Sequence, residues 1–264
     1  MSTGRQVGAP QRSWVLGLGL YLLGIFIGAI DTGIVTPART IIADDLGVNQ
    51  QLGIWMITVY TLAYAAAIPV MGKLADRIGR KPVYLTAIVL FGVGSLLCGL
   101  AQDAGSFWML IAARVIQAIG GGGILPIATA EIGTEVPPER RGMALGLVGA
   151  VFGIANLLGA SAGSLILGVA GPHNWQWIFY VNVPITALIV IAGVLVLPNH
   201  REASVAPLDL RGIALLVAMI MSLLYGLTNI DFFDLAGSLR SVEVYPYLAA
   251  FVVLLPLFVL AERH

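Results

Sequence analysis

Gly72-Lys-Leu-Ala-Asp-Arg-Ile-Gly-Arg-Lys81 places four cationic side chains between two long apolar runs, and the predicted fold follows from this arrangement. Charge this dense cannot lie in hydrocarbon, where a polar group finds no water to bind. The sequence therefore predicts that the 72–81 segment is a tight turn at one face of a membrane. The apolar runs before and after it are then predicted to cross that membrane.

The rest of the chain is too apolar for a soluble domain. Of its 264 residues, 58% are hydrophobic and 11% are charged, whereas soluble domains carry about 25% charged residues. The net charge is zero and no basic patch indicates a nucleic-acid partner. The single cysteine, Cys98, excludes an internal disulfide, and the three histidines lie outside the apolar runs. We therefore expect neither a metal site nor an enzyme.

Apolar runs long enough to cross a bilayer, which needs about 20 residues, occur eight times. They are continuous rather than alternating, which favours helices over barrel strands. The predicted fold class is an all-α integral membrane protein with eight spans. The predicted spans cover residues 14–36, 52–71, 83–101, 107–130, 143–167, 177–197, 213–228 and 245–261.

The cations fall mainly on one side of the predicted membrane. Eleven lie on the side of the 72–81 turn, Arg39 and Arg240 lie on the other, and Arg114 lies inside a span. Cytoplasmic loops carry the excess of Lys and Arg, so this turn and both termini are predicted to be cytoplasmic. Near the predicted span ends stand the five tryptophans, as an aromatic belt requires: Trp14, Trp55, Trp108, Trp175 and Trp177.

The composition of the 72–81 turn suggests more than an anchor, although a pure positive-inside anchor is the simpler alternative. Gly72 and Gly79 would let the backbone bend, and Asp76 could face the positive end of a helix. Three of the four cations would sit at the phosphate layer. They are Arg77, Arg80 and Lys81.

This turn resembles the cytoplasmic loop signature of the major facilitator superfamily and lies between spans two and three, as in that family. The resemblance implies a latch that holds two halves of a transporter together in the outward-open state. Asp76 would then face a helix of the second half. Arg80 would pair with an acid at the cytoplasmic end of span four, where this chain has Glu131.

Two charged residues stand inside predicted spans, where ionisable groups are costly and are functional candidates. Counting along the helices, Asp31 in span one lies about 8 Å, and Arg114 in span four about 10 Å, from the outer face. We expect them to pair, and protonation of the carboxylate would release the pair. The alternatives are that Asp31 lies in the headgroup layer and that Arg114 is only structural. Arg114, Gln117 and the glycines that follow resemble the family's fourth-span signature.

Small residues recur along one face of the predicted fifth span. Such a face permits close helix packing, which is the simpler interpretation. The 159–164 segment also resembles the family's antiporter signature, with Ala160 in place of its proline and Ser164 in place of its last glycine. The stripe contains Gly142, Gly146, Gly149, Gly153, Asn156, Ala160 and Gly163, and the antiporter-like segment adds Gly159.

Two further segments, 175–184 and 208–212, resemble the fourteen-helix drug:proton antiporters, although the 31–38 segment departs from that subfamily's usual form. The resemblance implies a tail at 1–13, a six-helix half at 14–197 built as a 3+3 inverted repeat, and a cytoplasmic loop at 198–212. Residues 213–264 would form two extra linker helices. The C-terminal half would then be absent from this chain.

The expected function is that of the N-terminal part of a proton-coupled exporter of amphipathic or lipophilic compounds, in the plasma (inner) membrane. The proton gradient would drive it without a cofactor, and its partners would be substrate, protons, membrane lipids and the second half. The alternatives are a lipid, glycolipid or nutrient transporter of the same superfamily, or a non-transporting scaffold. The weakest expectation is a substrate cavity lined by Tyr60, Tyr64, Gln117 and Asn156.

Overall fold

The computed structural model describes residues 12–198, 210–231 and 234–261, and within these ranges every regular element is helical. Most of the predicted 1–13 tail and 198–212 loop lies outside the described residues. Long helices, labelled α1 to α8, follow the eight predicted spans in order. They are Arg12–Ile34, Trp55–Ile78, Arg80–Asp103, Phe107–Glu135, Pro138–Ala170, Asn182–Val196, Leu210–Thr228 and Tyr245–Ala261. Short helices at Arg39–Asp45, Gln50–Gly53, Trp177–Tyr180 and Leu235–Ser238 lie in the connections.

Seven of the long helices, α1 to α7, are long and apolar enough to cross a membrane, counting the short adjoining segments. The eighth, Tyr245–Ala261, is apolar but has 17 residues, which corresponds to about 25 Å. The hydrocarbon core is about 30 Å thick. The multi-span helical fold is therefore confirmed, and the count of eight spans stays a prediction.

The connection between α2 and α3 is shorter than the sequence predicted. Helix α2 continues to Ile78 and α3 begins at Arg80, so only Gly79 lies between them. Its backbone, at φ +117° and ψ 145°, is open to glycine alone. The prediction of a ten-residue turn bent at Gly72 was wrong. The criterion of about 20 residues gives only the part of a helix that crosses the hydrocarbon core, and not the full length of the helix. Beyond the hydrocarbon, the same backbone hydrogen bonds continue the helix.

Helix α4 packs closely against both α2 and α3 because glycines stand at the contacts. A Cβ atom added at Gly94 would overlap the backbone of Gln117, and one at Gly120 would overlap the backbone of Phe91. A Cβ atom at Gly122 would overlap the carbonyl of Tyr64. Close approach of this kind is how membrane helices gain dispersion energy without a hydrophobic driving force.

Two clusters of buried apolar side chains lie at opposite ends of the α1–α6 bundle. One includes Tyr84 and Phe91 and lies toward Gly79, at the end we call the basic end. The other includes Phe107 and Trp175 and lies toward the opposite end. The buried polar side chains described next sit where the two clusters meet.

Candidate functional site

The centre of the site is an ion pair between α1 and α4. Arg114 Nη1 lies 2.8 Å from Asp31 Oδ2. Asp31 is 0% exposed and Arg114 is 1% exposed, so neither charge reaches solvent. The sequence placed both residues at one depth, and the fold brings their side chains into contact.

Arg114 has two further hydrogen bonds and an aromatic contact besides its ion pair. Its Nε donates to the carbonyl of Met56 on α2 at 3.2 Å, and its Nη1 also donates to Gln117 Oε1 at 2.6 Å. The ring of Tyr60 covers the guanidinium, with the centroid 3.9 Å from Cζ. The planar fork of arginine can serve several acceptors at once while stacking on an aromatic ring, which lysine cannot do.

The second carboxylate oxygen of Asp31 has its own donors. Gln117 Nε2 and Asn182 Nδ2 donate to Oδ1 at 2.8 and 2.9 Å. Ser95 Oγ accepts from the same two amides at 2.8 and 3.4 Å and donates to the carbonyl of Phe91 at 2.9 Å. Together with the ion pair, these bonds join α1, α3, α4 and α6 into one buried polar network.

Protonation of Asp31 would replace the ion pair of this arrangement with a neutral carboxyl group. Removing one partner of a buried pair leaves an uncompensated charge, so a proton that neutralises Asp31 would weaken its hold on Arg114. Hydrogen bonds to an ionised group are roughly twice as strong as neutral ones, so the same proton would weaken the amide bonds at Oδ1. Four helices therefore share one titratable centre.

Ser95 and Asn182 are members of the network that were not predicted from the sequence. Both are fully buried polar side chains inside predicted spans, and polarity at such depth was the signal that could have found them. Asn182 lies within the 175–184 segment that was quoted only for its family resemblance.

The four residues predicted to line a substrate cavity do not lie on one surface. Tyr60 and Gln117 are buried in the network at 2% and 0% exposure. Tyr64 is half-buried, and Asn156 is exposed and accepts a hydrogen bond from Thr32 Oγ1 at 3.1 Å. Their role in substrate binding stays a prediction.

At the basic end, the cations of the connection reach other helices. Arg80 Nη1 donates to Thr134 Oγ1 at 2.8 Å and to the carbonyl of Ala130 at 3.3 Å, so it lies at the turn of α4 that carries the buried Glu131. Lys81 Nζ donates to the carbonyl of Val194 at 2.9 Å, in the last turn of α6. A cation there complements the negative end of the helix dipole.

Two more of the gate candidates lie in the last turn of α2, where Asp76 is half-buried and Arg77 is exposed. The structure thus gathers the predicted gate residues at one end of the bundle. Their gating role stays a prediction.

The glycine stripe of α5 divides into two parts. A Cβ atom at Gly159 would come within 2.8 Å of Gly33 Cα, and one at Gly163 would overlap the carbonyl of Ile34, so this part packs on α1. In the part nearer the basic end, a Cβ atom added at a glycine would have no neighbouring atom of the described residues within 4 Å. This part consists of Gly142, Gly146, Gly149 and Gly153.

Trp175 does not belong to an aromatic belt as predicted, because it is 0% exposed. Its Nε1 donates to Asp45 Oδ2 at 2.7 Å, which ties the α5–α6 connection to the short helix Arg39–Asp45. The indole lies inside the apolar cluster and its one polar atom is satisfied. Proximity to a span end alone could not distinguish a buried tryptophan from an interfacial one.

The family follows from comparison with known proteins. The model of the Major Facilitator Superfamily matches residues 21–261, which is most of the chain and includes the whole network. The chain belongs to the major facilitator superfamily.

Relatives of this superfamily member include proteins of Bacillus subtilis and Mycobacterium tuberculosis. An uncharacterised MFS-type transporter, YfiU, is 41% identical over 235 residues, which cover 89% of this chain and 44% of the relative. Multidrug resistance protein 3 is 36% identical over 258 residues, covering 97% and 47%. The multidrug resistance protein B homologue of Mycobacterium tuberculosis is 34% identical, covering 80% and 38%. The chain thus spans less than half the length of these relatives.

Solved structures of the superfamily share the fold at low sequence identity. The proton:xylose symporter XylE superposes with a TM-score of 0.60 at 13% identity, covering 97% of this chain and 54% of that one. The POT family transporter PepTSo gives 0.62 at 14% identity, covering 92% and 52%. Similarity at this level establishes the fold of the superfamily member and nothing finer.

Proposed function

We propose that this chain is the N-terminal part of a proton-coupled exporter of amphipathic or lipophilic compounds that works by alternating access. The observation that carries the proposal is the buried Asp31–Arg114 pair, with no solvent contact and donors on both carboxylate oxygens. A scaffold has no use for so costly a pair inside a membrane. The names of the multidrug resistance relatives support the choice of substrate class.

The proposed cycle uses the two states of this carboxylate. A proton from outside binds Asp31 and frees Arg114, which lowers the cost of separating α1 from α4. After the transporter has switched from outward-open to inward-open, the proton leaves to the cytoplasm and the ion pair forms again. The protein would lie in the plasma membrane with both termini of this chain cytoplasmic, and the gradient would replace any cofactor.

Within this proposal the basic end closes the cytoplasmic side. Arg80 at the last turns of α4 and Lys81 at the last turn of α6 join three helices of the bundle. Rocking of one half against the other around a central site is the usual way that such repeats transport. The six-helix unit at 14–197 and the linker helices at 213–264 are the proposed division of the chain.

The test is transport by the complete gene product in proteoliposomes, with ethidium as a lipophilic cationic probe and an imposed pH gradient. We expect Asp31→Asn to lower gradient-driven ethidium transport at least about tenfold, because a neutral amide neither binds nor releases the proton. Asp103→Asn is the matched control, since it removes an exposed acid at the end of α3, and it should transport within about twofold of the wild type.

Two results would overturn the proposal. Wild-type gradient-driven transport by Asp31→Asn would remove the proton-carrying role. Failure of the wild type to move ethidium or any other amphipathic probe, with movement of a lipid or a sugar instead, would replace the substrate class with one of the alternatives. Protein abundance in the liposomes is measured in every case.

A further inference from the structure

Asn182 is the first residue of α6 and stands where the backbone hydrogen-bond ladder of the sixth span is one bond short. The backbone stays helical from Trp177 through Val181, at φ −57° and ψ −29°, into α6, which runs from Asn182 to Val196. Pro184 explains the missing bond, because it has no N–H to donate to the carbonyl of Tyr180 one turn earlier. The asparagine is 1% exposed, so its amide must find partners within the bundle.

The partners of that amide are the proposed proton carrier and its neighbour. Asn182 Nδ2 donates to Asp31 Oδ1 at 2.9 Å and lies 3.4 Å from Ser95 Oγ. It is the one contact among the described hydrogen bonds by which α6 reaches the carboxylate. Without it, α6 would have no polar link to the charge state of Asp31.

The other groups around the carboxylate come from three helices, and α6 adds only this neutral amide. Helix α4 supplies Arg114 and Gln117, α3 supplies Ser95 and the thiol of Cys98, and α2 supplies the Tyr60 ring over the guanidinium. Arg114 is the single charged member of this set. An amide N–H beside Oδ1 therefore adds to the hold on the ionised form without bringing a charge of its own.

We infer that Asn182 is a positioning residue that holds the ionised Asp31 carboxylate by Oδ1 and transmits its protonation to α6. The inference rests on the proposed function, in which Asp31 carries the proton. When Asp31 is ionised, the charge-assisted bond fixes the first turn of α6 against α1. When Asp31 is protonated, the bond weakens, and the first turn of α6, which already lacks the ladder hydrogen bond at Pro184, is freer to move relative to α1.

The test separates positioning from packing by using two transport modes of the complete gene product in proteoliposomes. One mode is ethidium transport driven by a pH gradient. The other is exchange of internal for external ethidium without a gradient, which needs no net movement of protons. The variant is Asn182→Leu, which keeps the number and branching of the side-chain heavy atoms and removes the amide.

Thr186→Val is the matched control on the same helix. Thr186 is buried one turn further along α6, and its hydroxyl donates to the carbonyl of Val183 at 2.8 Å, within its own helix. We expect Asn182→Leu to lower gradient-driven transport about tenfold, the factor that corresponds to one hydrogen bond to a charged group, while exchange stays within about twofold. Thr186→Val should leave both modes within about twofold.

Two outcomes would overturn the inference. Asn182→Leu with wild-type gradient-driven transport would show that the amide is not needed to couple the proton. A parallel loss of both modes, with normal abundance in the membrane, would show that Asn182 acts only by packing.

Asp31→Asn, measured beside these variants, distinguishes failure of the inference from failure of the proposed function. If Asp31→Asn loses gradient-driven transport and Asn182→Leu does not, only the positioning role fails. If Asp31→Asn also keeps it, the proton-carrying role of Asp31 fails, and the role of Asn182 fails with it.

Discussion

At the scale of single residues, the desolvation penalty is concentrated in the Asp31–Arg114 pair. Burial removes both charges from water, and this penalty is offset because both carboxylate oxygens of Asp31 and the Nε and Nη1 groups of Arg114 form hydrogen bonds with neighbours. The pairing could be predicted from depth alone, since both residues lie about one third of the way across the membrane. Polarity inside a span could have marked Ser95 and Asn182 as candidates, but it could not predict which group each of them binds, because an amide or a hydroxyl carries no charge that demands a particular partner.

A double-mutant cycle tests the energetic coupling of the pair. Asp31→Asn and Arg114→Gln should each lower the free energy of unfolding by about 3–5 kcal/mol, because each leaves the other charge buried and uncompensated. The double variant is neutral and should cost less than the sum by at least about 1 kcal/mol. Unfolding in mixed detergent micelles measures all four proteins, and strict additivity would contradict a direct ion pair.

At the scale of elements, the helices are positioned by glycines that have no side chain to keep their neighbours apart. The sequence predicts a stripe of small residues on α5 and close packing along it. It does not predict that, among the described glycines of this stripe, Gly159 and Gly163 lie against α1 while the others do not, because glycines with the same local sequence character differ only in what stands opposite them. The opposing surface is a property of the packed bundle.

The two parts of the stripe should therefore respond differently to alanine. Gly159→Ala places a Cβ atom about 2.8 Å from Gly33 Cα and 2.9 Å from the carbonyl oxygen of Ile30, so α5 and α1 must separate. We expect a loss of about 1–3 kcal/mol, the usual cost of overpacking. Thermal unfolding of the detergent-solubilised protein is the measurement.

Gly149→Ala is the control in the same helix, where an added Cβ meets nothing within 4 Å among the described residues. It should be neutral or stabilising by up to about 1 kcal/mol, because alanine favours the helix over glycine. Equal effects at the two positions would contradict the division of the stripe.

At the scale of the whole molecule, the uneven distribution of cations predicts the orientation of the bundle. The basic end carries Arg80 and Lys81, and their hydrogen bonds to α4 and α6 join three helices there. Such a cluster favours the cytoplasmic side. Orientation is a property of the inserted chain and its membrane, so it requires its own measurement.

Labelling with a membrane-impermeant maleimide supplies that measurement, because Cys98 is buried and should stay silent. A cysteine from Gln51→Cys, exposed on the side of the short helices, should react in intact cells. A cysteine from Glu139→Cys, exposed at the start of α5 at the basic end, should react only after permeabilisation. The reverse pattern would overturn the predicted orientation.

Hydropathy and charge along the chain are enough to predict that this protein is embedded in a membrane, where its helices lie, and which charges are too costly to be incidental. Both properties belong to each segment regardless of its neighbours. The hydrogen bonds from Asn182 to Asp31 and from Lys81 to Val194, and the burial of Trp175, are visible only in the folded bundle. Those contacts depend on how each helix is rotated and how closely it approaches the next, and packing across the whole bundle sets both.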